Sequence, residues 1–591
     1  MKLLLISPEL KESIFSYSKK DVRSFWFPRL SLPVLAALTP PDVEVRLLDE
    51  SIEKINFEEE VDLVGISVMT FLSPRAYEIA GEFRQRGVKV VLGGIHPTAV
   101  PEEAKLHADS VVVGEAEGLW PRLIQDFKNG GLKPFYRQNG LPSLENLPHP
   151  RMDLLKRDAY LTANCLQASR GCPFGCEFCS VTNFFGNTYR LRPVKDVVKE
   201  LESMPPGYVM FLDDNIAGNR KYSMELFEAI KPLGLTWSGQ SSLRLADDLE
   251  LLKKAEESGC KGLFLGIESL SQENLKKVRK GFNQVEKYKE SIKKFFDHGI
   301  SITAGIIFGF DGDDESVFER TAEFLEENRI TLSTPAILTP LPGTPFYRQM
   351  EKEGRIFDNN MAHYDGRHVT FYPRLMSPET LQEGYYWLNH RLFSIPSIFK
   401  RVIRPAQPYL LSRLGINWTF RRMANRVPKG GISPIARLLH RIQGTLRSSS
   451  EGLIPNTPPV TDLTASGQQP TPDGDVSIGL SHLLQNTREE VIERILSIHT
   501  TYDEKIKTLR VSLKGVLDER VVKKFIKRIN KILATGVVEV VVDCKEVVLF
   551  SRTALAELLK LKKLQEKIKF EALYPLALNQ PGPGLAKGTP K

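Results

Sequence analysis

The chain of 591 residues is long enough for several domains, and its 41% hydrophobic and 26% charged residues are typical of globular proteins. It has no apolar run of about 18 residues and no signal-peptide pattern, and only six cysteines, so we expect a cytoplasmic protein without membrane-spanning helices or disulfides. The net charge of +8 is uneven, because residues 391–450 contain 12 Lys and Arg and no Asp or Glu.

Residues 1–140 alternate short apolar runs with helical patterns, which predicts an α/β domain with a doubly wound, Rossmann-like parallel sheet. The predicted strands are residues 2–7, 43–48, 61–68, 88–92 and 110–113. Ligands bind such sheets at the carboxyl ends of the strands. The loops at those ends provide the predicted binding residues Ser67, Thr70, Gly93, Gly94, Gly114 and Glu115.

Two of these loops, residues 92–104 and 113–117, resemble the cobalamin-binding domain that precedes many radical S-adenosylmethionine (SAM) domains. A nucleotide-binding or response-regulator domain is the alternative, although no G-x-G-x-x-G follows the first strand. The D-x-H-x-x-G motif of other cobalamin proteins is absent, so their lower axial histidine has no counterpart here. We expect His96 to order its loop instead.

After a linker at residues 141–164, three cysteines, Cys172, Cys176 and Cys179, occur with the spacing C-x3-C-x2-C. Iron–sulfur clusters are normally held by four cysteines, so a cluster bound here would keep one iron open to another ligand. Gly171 and Gly175 are expected to give the loop positive φ angles. A zinc knuckle would need a second ligand pair, and none is nearby.

This stretch resembles the signature of the radical SAM enzymes. The resemblance implies that the three cysteines bind a 4Fe–4S cluster, that SAM chelates the fourth iron, and that one electron cleaves SAM to a 5′-deoxyadenosyl radical. It also implies that Phe178 packs near the adenine. The remaining cysteines, Cys165, Cys260 and Cys544, lie in apolar patterns and are expected in the core.

Strands and helices alternate through residues 160–385, which predicts a partial (β/α) barrel of the TIM type with its reacting groups at the strands' carboxyl ends. The resemblance places contacts to SAM at these ends, namely Asp213, Asp214, Gln240, Ser241 and Glu268. Carboxylates at strand–helix junctions also cap helices, so function and capping both remain open for Asp213, Asp214 and Glu268.

Residues 386–443 interleave apolar and basic residues and are expected to form short helices interrupted by prolines. Such a basic helical segment would suit an anionic membrane surface or RNA, or would simply be solvated or face acidic neighbours. Residues 444–497 have the composition of a flexible linker.

Residues 498–573 resemble a STAS domain, which would serve as a protein-docking module. Its usual phospho-acceptor position is Arg552, so a phosphorylation switch is not expected. The final residues, 574–591, are rich in Pro and Gly and are expected to be disordered.

The combined resemblance implies a cobalamin-dependent radical SAM enzyme of the class B methyltransferase type. Its expected reaction is C-methylation of an unactivated carbon in a lipid or other hydrophobic metabolite, with an external flavodoxin- or ferredoxin-type electron donor. Because of the basic segment, we also expect peripheral contact of the protein with the inner face of the membrane. The alternatives are a tetrapyrrole-type radical cyclase or oxidase, and a sensory or scaffold protein that signals through the STAS-like domain.

Overall fold

The computed structural model describes residues 1–10, 27–403 and 410–428 in full, together with the backbone of four strands between residues 496 and 571. The chain divides into two compact units, Met1–Ile454 and Pro455–Lys591. The first unit contains two parallel six-stranded sheets and a helical segment.

The first sheet is fully parallel, with the strand order β2-β1-β3-β4-β5-β6. Its strands are β1 (Lys2–Ser7), β2 (Glu44–Asp49), β3 (Leu63–Ser67), β4 (Lys89–Gly93), β5 (Ser110–Val113) and β6 (Phe135–Arg137). Its helices are α1 (Ser31–Leu38), α2 (Ser73–Gln85), α3 (Ile95–Ala99), α4 (Pro101–His107) and α5 (Trp120–Lys128).

Helices cover both faces of this sheet, which explains why its central strands are uniformly apolar. Along β1, Leu3 and Leu5 pack with α1 and α5, whereas Leu4 and Ile6 pack with α2 and α4 on the opposite face. The predicted doubly wound sheet is therefore confirmed, and its strand order reverses between β1 and β3. That reversal leaves a crevice at the carboxyl edge.

The second sheet is also fully parallel and has the order β14-β13-β12-β11-β10-β7, as expected for a partial barrel. Its strands are β7 (Cys165–Leu166), β10 (Tyr208–Phe211), β11 (Thr236–Ser241), β12 (Cys260–Glu268), β13 (Ser301–Phe308) and β14 (Leu332–Ile337). A separate antiparallel hairpin consists of β8 (Ser169–Gly171) and β9 (Tyr189–Leu191).

The barrel strands are accompanied by helices, most of which form one large apolar core with them. They are α6 (Ser180–Phe185), α7 (Val194–Glu202), α8 (Arg220–Ile230), α9 (Leu249–Glu257), α10 (Gln272–Lys277), α11 (Tyr288–Asp297), α12 (Val317–Glu327) and α13 (Pro345–Lys352). Three further helices follow, α14 (Pro378–Leu392), α15 (Ile395–Val402) and α16 (Leu410–Ala424). In the part of the chain that the structure describes, none of the helices combines the length and the apolarity needed to cross a membrane.

Two predicted elements of the barrel are wrong in extent. The strand expected at residues 160–168 pairs only at Cys165–Leu166. The residues before Cys165 instead make side-chain hydrogen bonds, such as the one from Thr162 Oγ1 to the Tyr208 carbonyl at 2.7 Å. The helix expected at residues 283–298 begins only at Tyr288, since the Asn283 amide donates to the Gly266 carbonyl at 2.9 Å. The expected boundary at residue 385 lies inside α14.

The four strands of the second unit form one sheet with the order β15-β16-β17-β18. They are β15 (Leu496–Asp503), β16 (Thr508–Leu517), β17 (Glu539–Phe550) and β18 (Ile568–Glu571), and only the β15–β16 pair is antiparallel. The helices of the STAS-like interpretation, its position 552, most of the expected linker and the tail lie outside the described residues. The STAS-like domain therefore stays a prediction.

Candidate functional site

The three clustered cysteines lie on the loop between the β8 strand and helix α6. Cys176 is buried, Cys172 and Cys179 are half-buried, and none of them forms a disulfide. Gly171 enters the loop with φ of 83°, and a Cβ atom on it would lie 2.3 Å from the Thr188 carbonyl oxygen. Gly171 is therefore required here. The expectation of positive φ at Gly175 is wrong.

The three thiols of this loop are the type of ligand that iron–sulfur clusters use. Among the described residues, no three His, Cys, Asp or Glu side chains converge closely enough to hold one metal ion. A 4Fe–4S cluster has no such requirement, because each cysteine binds a different iron and the sulfur atoms stand further apart. Cys165 and Cys260 lie buried in strands of the barrel, as predicted, and cannot join the loop.

Burial dominates the electrostatics of the cysteine loop. It raises the pKa of the Cys176 thiol to about 12 and also raises the pKa of Cys172 and Cys179. The backbone amides of Thr182 and Val181, in the first turn of α6, oppose this rise at Cys179. A bound metal would displace these protons, as at thiolate sites generally.

Asp213 and Asp214 follow β10 and accept hydrogen bonds from the residues that lead into the cysteine loop. Asp213 is fully buried and accepts hydrogen bonds from the Ala168 amide at 3.1 Å and the Ser169 hydroxyl at 2.5 Å. Asp214 is half-buried and accepts from the Gly171 amide at 3.1 Å. Burial raises the pKa of Asp213 to about 6 and that of Asp214 to about 7.

A buried lysine, which the sequence analysis missed, lies beside the same loop. The Lys280 ammonium is 2.6 Å from Glu268 Oε1, at the carboxyl end of β12, and each side chain is only 12% exposed. Its positive charge lowers the thiol pKa of Cys176 and Cys179, although burial outweighs that effect. Nothing in the local run of lysines distinguishes Lys280 before the chain folds.

Lys280 belongs to a segment that packs directly on the cysteine loop. The Phe282 ring stacks on Phe174 with centroids 3.9 Å apart, and the Glu177 amide donates to the Val278 carbonyl at 3.2 Å. Glu268 itself has φ of 64°, a strained angle for a residue with a side chain. Such strain is common at binding sites and agrees with a role for Glu268 beyond capping.

The other residues predicted to bind SAM occupy the same rim of the barrel. Phe178 is partly buried against an apolar cluster, with its ring edge-on to Phe310 at 6.3 Å. Gln240 and Ser241 end β11, and the Ser241 hydroxyl points to the Asn215 side chain at 3.5 Å. The fold thus places every predicted SAM contact at strand ends or in the cysteine loop, and their binding roles remain predictions.

A cavity of about 410 Å³ lies between the carboxyl edge of the first sheet and the barrel domain, within the usual size range of ligand sites. The predicted binding residues that line it are Ser67, Gly93, Gly94, Gly114 and Glu115. The barrel domain contributes Gln167, Arg170, Phe184, Phe185 and Leu212. Thr70 is buried in a short 3-10 helix and does not line the cavity, and its predicted contact stays a prediction.

Glycines bring the backbone close to the sheet side of this cavity at two loops. Gly94 has φ of 106°, and a Cβ atom there would lie 2.9 Å from the Val68 carbonyl oxygen. Gly114 has φ of 90° and donates its amide to Thr98 Oγ1 at 3.0 Å. His96 is fully buried outside the cavity, with its Nε2 atom 3.5 Å from Glu103 Oε1, and its loop-ordering role stays a prediction.

A buried ion-pair network joins this cavity to the cysteine loop. Arg170, two residues before Cys172, contacts Glu115 Oε2 at 2.6 Å and also pairs with Glu117. Arg190 of the β8–β9 hairpin pairs with the second oxygen of Glu115. Glu115 thus binds two arginines of the barrel domain, which its predicted role as a cofactor contact did not anticipate.

Comparison with protein families identifies both halves of the site. Residues 166–325 match the radical SAM superfamily, and residues 34–124 match the B12 binding domain. The chain is 31% identical over 413 residues to the bacteriochlorophyllide d C-12(1)-methyltransferase of Chlorobaculum tepidum, which covers 68% of this chain and 89% of that protein. The C-8(2)-methyltransferase of the same organism is 32% identical, over 61% of this chain and 85% of that protein.

Among solved structures, the fold is similar to the radical SAM methyltransferase TsrM from Kitasatospora setae, whose structure contains cobalamin and a [4Fe-4S] cluster. The TM-score is 0.51 at 18% identity, and the match covers 74% of this chain and 99% of that chain. At that identity the likeness concerns the fold alone.

Proposed function

The chain belongs to the cobalamin-dependent radical SAM methyltransferases, and on this premise we propose that it methylates an unactivated carbon of a hydrophobic metabolite. One observation carries the proposal. The glycine-lined cavity is bordered by Arg170, Phe184 and Phe185, which flank the cysteine loop in sequence, and Arg170 pairs with Glu115 of the first sheet's edge. A substrate between the cavity and the cysteine loop would be within reach of both cofactors, which is the positioning that such a reaction needs.

Each cofactor has a matching set of residues in this chain. Cys172, Cys176 and Cys179 would hold the cluster. The Lys280 ammonium would attract the carboxylate of SAM, and Asp214, the more accessible of the two aspartates, would accept from its amino group. When bound, the cluster and SAM supply radical chemistry and cobalamin supplies methyl transfer, so the protein's task is orientation and shielding.

The finer choice of substrate rests on the nature of the relatives. Both reported relatives are named for bacteriochlorophyllides, which are hydrophobic tetrapyrrole derivatives. A tetrapyrrole or another large hydrophobic molecule is therefore the substrate class that we propose. A reductant is also required, and we propose a flavodoxin- or ferredoxin-type donor for that role.

The experiment is anaerobic reconstitution with iron, sulfide and cobalamin, followed by addition of SAM and a chemical reductant. We expect 5′-deoxyadenosine and S-adenosylhomocysteine, and the deoxyadenosine should be lost in Cys176→Ala and retained in Cys260→Ala, whose thiol is buried in β12. S-adenosylhomocysteine should also require cobalamin. Deoxyadenosine without S-adenosylhomocysteine would refute methyl transfer in favour of cyclisation or oxidation, and neither product from a fully loaded protein would favour the sensory alternative.

A further inference from the structure

Large exposed apolar side chains are concentrated in one short part of the chain. The described residues contain 14 such side chains, and six of them lie in the 24 residues from Ile395 to Trp418. The six are Ile395, Phe399, Ile403, Leu410, Leu411 and Trp418. Single exposed apolar residues are normal on a protein surface, but a cluster of this kind marks an interaction site.

Helix α15 has two apolar faces, and only the inner one is needed for folding. Ile398 and Val402 are buried, and the Arg401 guanidinium between them donates to the Thr331 carbonyl at 3.0 Å and the Leu392 carbonyl at 2.6 Å. On the outer face Phe399 is 53% exposed, and Ile395 lies one turn before it. That outer face has no partner among the described residues.

Two basic residues, Lys400 and Arg421, lie beside this apolar surface, and carboxylates of the same segment are absent. The Arg421 guanidinium lies 5.9 Å from the ring centre of Trp418, and the Lys400 side chain is 58% exposed while paired with Glu326. Two other basic residues of the segment, Arg401 and Arg413, are buried and serve the fold. The sequence left open whether the basic residues of this segment face acidic neighbours, and Lys400 does so through Glu326, although no Asp or Glu occurs between residues 391 and 450.

We propose that this surface, formed by the outer faces of α15 and α16, docks on an anionic lipid membrane. Outward Ile, Leu, Phe and Trp side chains enter the boundary between headgroups and acyl chains, while Lys and Arg pair with anionic headgroups. A second copy of the chain is disfavoured, because an isologous contact would bring two basic segments together. RNA is disfavoured because outward aliphatic side chains add nothing to phosphate binding.

The test is vesicle flotation of the full-length protein. Phosphatidylcholine vesicles with phosphatidylglycerol should float the protein, and phosphatidylcholine alone should not. Phe399→Ser and Leu411→Ser should each weaken binding by roughly tenfold. Leu106→Ser is the matched control, because Leu106 is 76% exposed and Leu411 is 83% exposed, and it should bind as the unchanged protein does. Circular dichroism should show that all three variants remain folded.

Equal binding to both vesicle types would overturn the proposal, as would unaltered flotation of Phe399→Ser and Leu411→Ser. A dimer that these substitutions dissociate, without vesicle binding, would assign the surface to self-association. RNA binding without vesicle binding would assign it to nucleic acid. Flotation needs neither cofactor nor turnover, so its outcome is separate from that of the proposed methyl transfer.

Discussion

Removing the Arg170 guanidinium should weaken the ion pairs that join the glycine-lined cavity to the cysteine loop. In Arg170→Met the volume of the side chain is largely kept, but Glu117 loses its arginine partner. Glu115 keeps only Arg190. The Arg170, Glu115 and Glu117 side chains are 10%, 3% and 9% exposed, so the carboxylates cannot simply return to water.

Breaking a buried ion pair lowers the free energy of unfolding by about 3–5 kcal/mol. Because Glu115 keeps its contact with Arg190, we expect a loss of about 3 kcal/mol in this variant. Urea unfolding of the cofactor-free protein, followed by fluorescence, measures that loss; Trp120 is buried in the N-terminal domain and reports on it. Cobalamin titration is the second readout, and we expect the affinity to fall by roughly tenfold, equivalent to about 1.4 kcal/mol.

The control is Arg75→Met, which breaks a similarly buried pair within the N-terminal domain. The Arg75 and Glu50 side chains are 15% and 8% exposed, and neither lines the cavity. It should lower stability comparably but leave cobalamin affinity unchanged. The reasoning would be refuted if both variants bound cobalamin equally well, or if Arg170→Met unfolded at the same urea concentration as the unchanged protein.

Three further predictions concern the site and the fold around it. Gly171→Ala should abolish iron incorporation on reconstitution, because its Cβ atom would lie 2.3 Å from a backbone carbonyl oxygen. Gly175→Ala is the control and should retain iron, because no atom lies closer than 3.7 Å to its Cβ position. Equal iron contents in the two variants would contradict this prediction. Lys280→Met should weaken SAM binding by roughly tenfold, measured from the change that SAM causes in the cluster's electron paramagnetic resonance signal. Arg279→Met is the control and should bind SAM normally, because the Arg279 side chain is 75% exposed. Equal SAM affinities would count against a SAM-binding role for Lys280. Burial raises the pKa of Asp313 to about 7 from 3.8, so the native state binds more protons and stability from this group should fall as pH rises from about 4 to 7. Asp313→Asn should make that slope less steep in urea unfolding across the same pH range without removing it, because burial also raises the pKa of Asp213 and Asp214, and an unchanged slope would contradict the prediction.

The sheets could be predicted from the sequence because their signals are local. The central strands of the first sheet are short runs rich in Val, Ile and Leu that end at Ser or Gly, and such runs mark strands that are buried on both faces. The same logic put Asp213, Asp214 and Glu268 at one rim, since parallel strands share their carboxyl edge. Where a local signal competed with a side-chain hydrogen bond, as at Asn283, the predicted boundary was wrong.

The rest of the site depends on contacts between residues distant in sequence. Lys280 reaches the cysteine loop only because the chain after β12 folds back over it, and the pairing of Arg170 with Glu115 spans 55 positions. Arg170 and Glu115 each belong to a recognisable motif and carry opposite charges, but no pattern in the sequence indicates that the two residues meet. The buried state of Arg401 was hidden for the same reason, since two of its acceptors, the Ile330 and Thr331 carbonyls, are 71 and 70 positions away in sequence.

The two adjacent aspartates illustrate how one sequence signal divides into two roles. Each hydrogen bond described for the Asp213 carboxylate comes from the residues just before the cysteine loop, and the side chain is fully buried, so it fixes the position of that loop. Asp214 accepts one described bond, from Gly171, and stays half-buried. An acceptor for a ligand needs an accessible lone pair, which Asp214 has and Asp213 lacks. Substitution of Asp213 should therefore lower cluster content, whereas substitution of Asp214 should spare the cluster and weaken SAM binding.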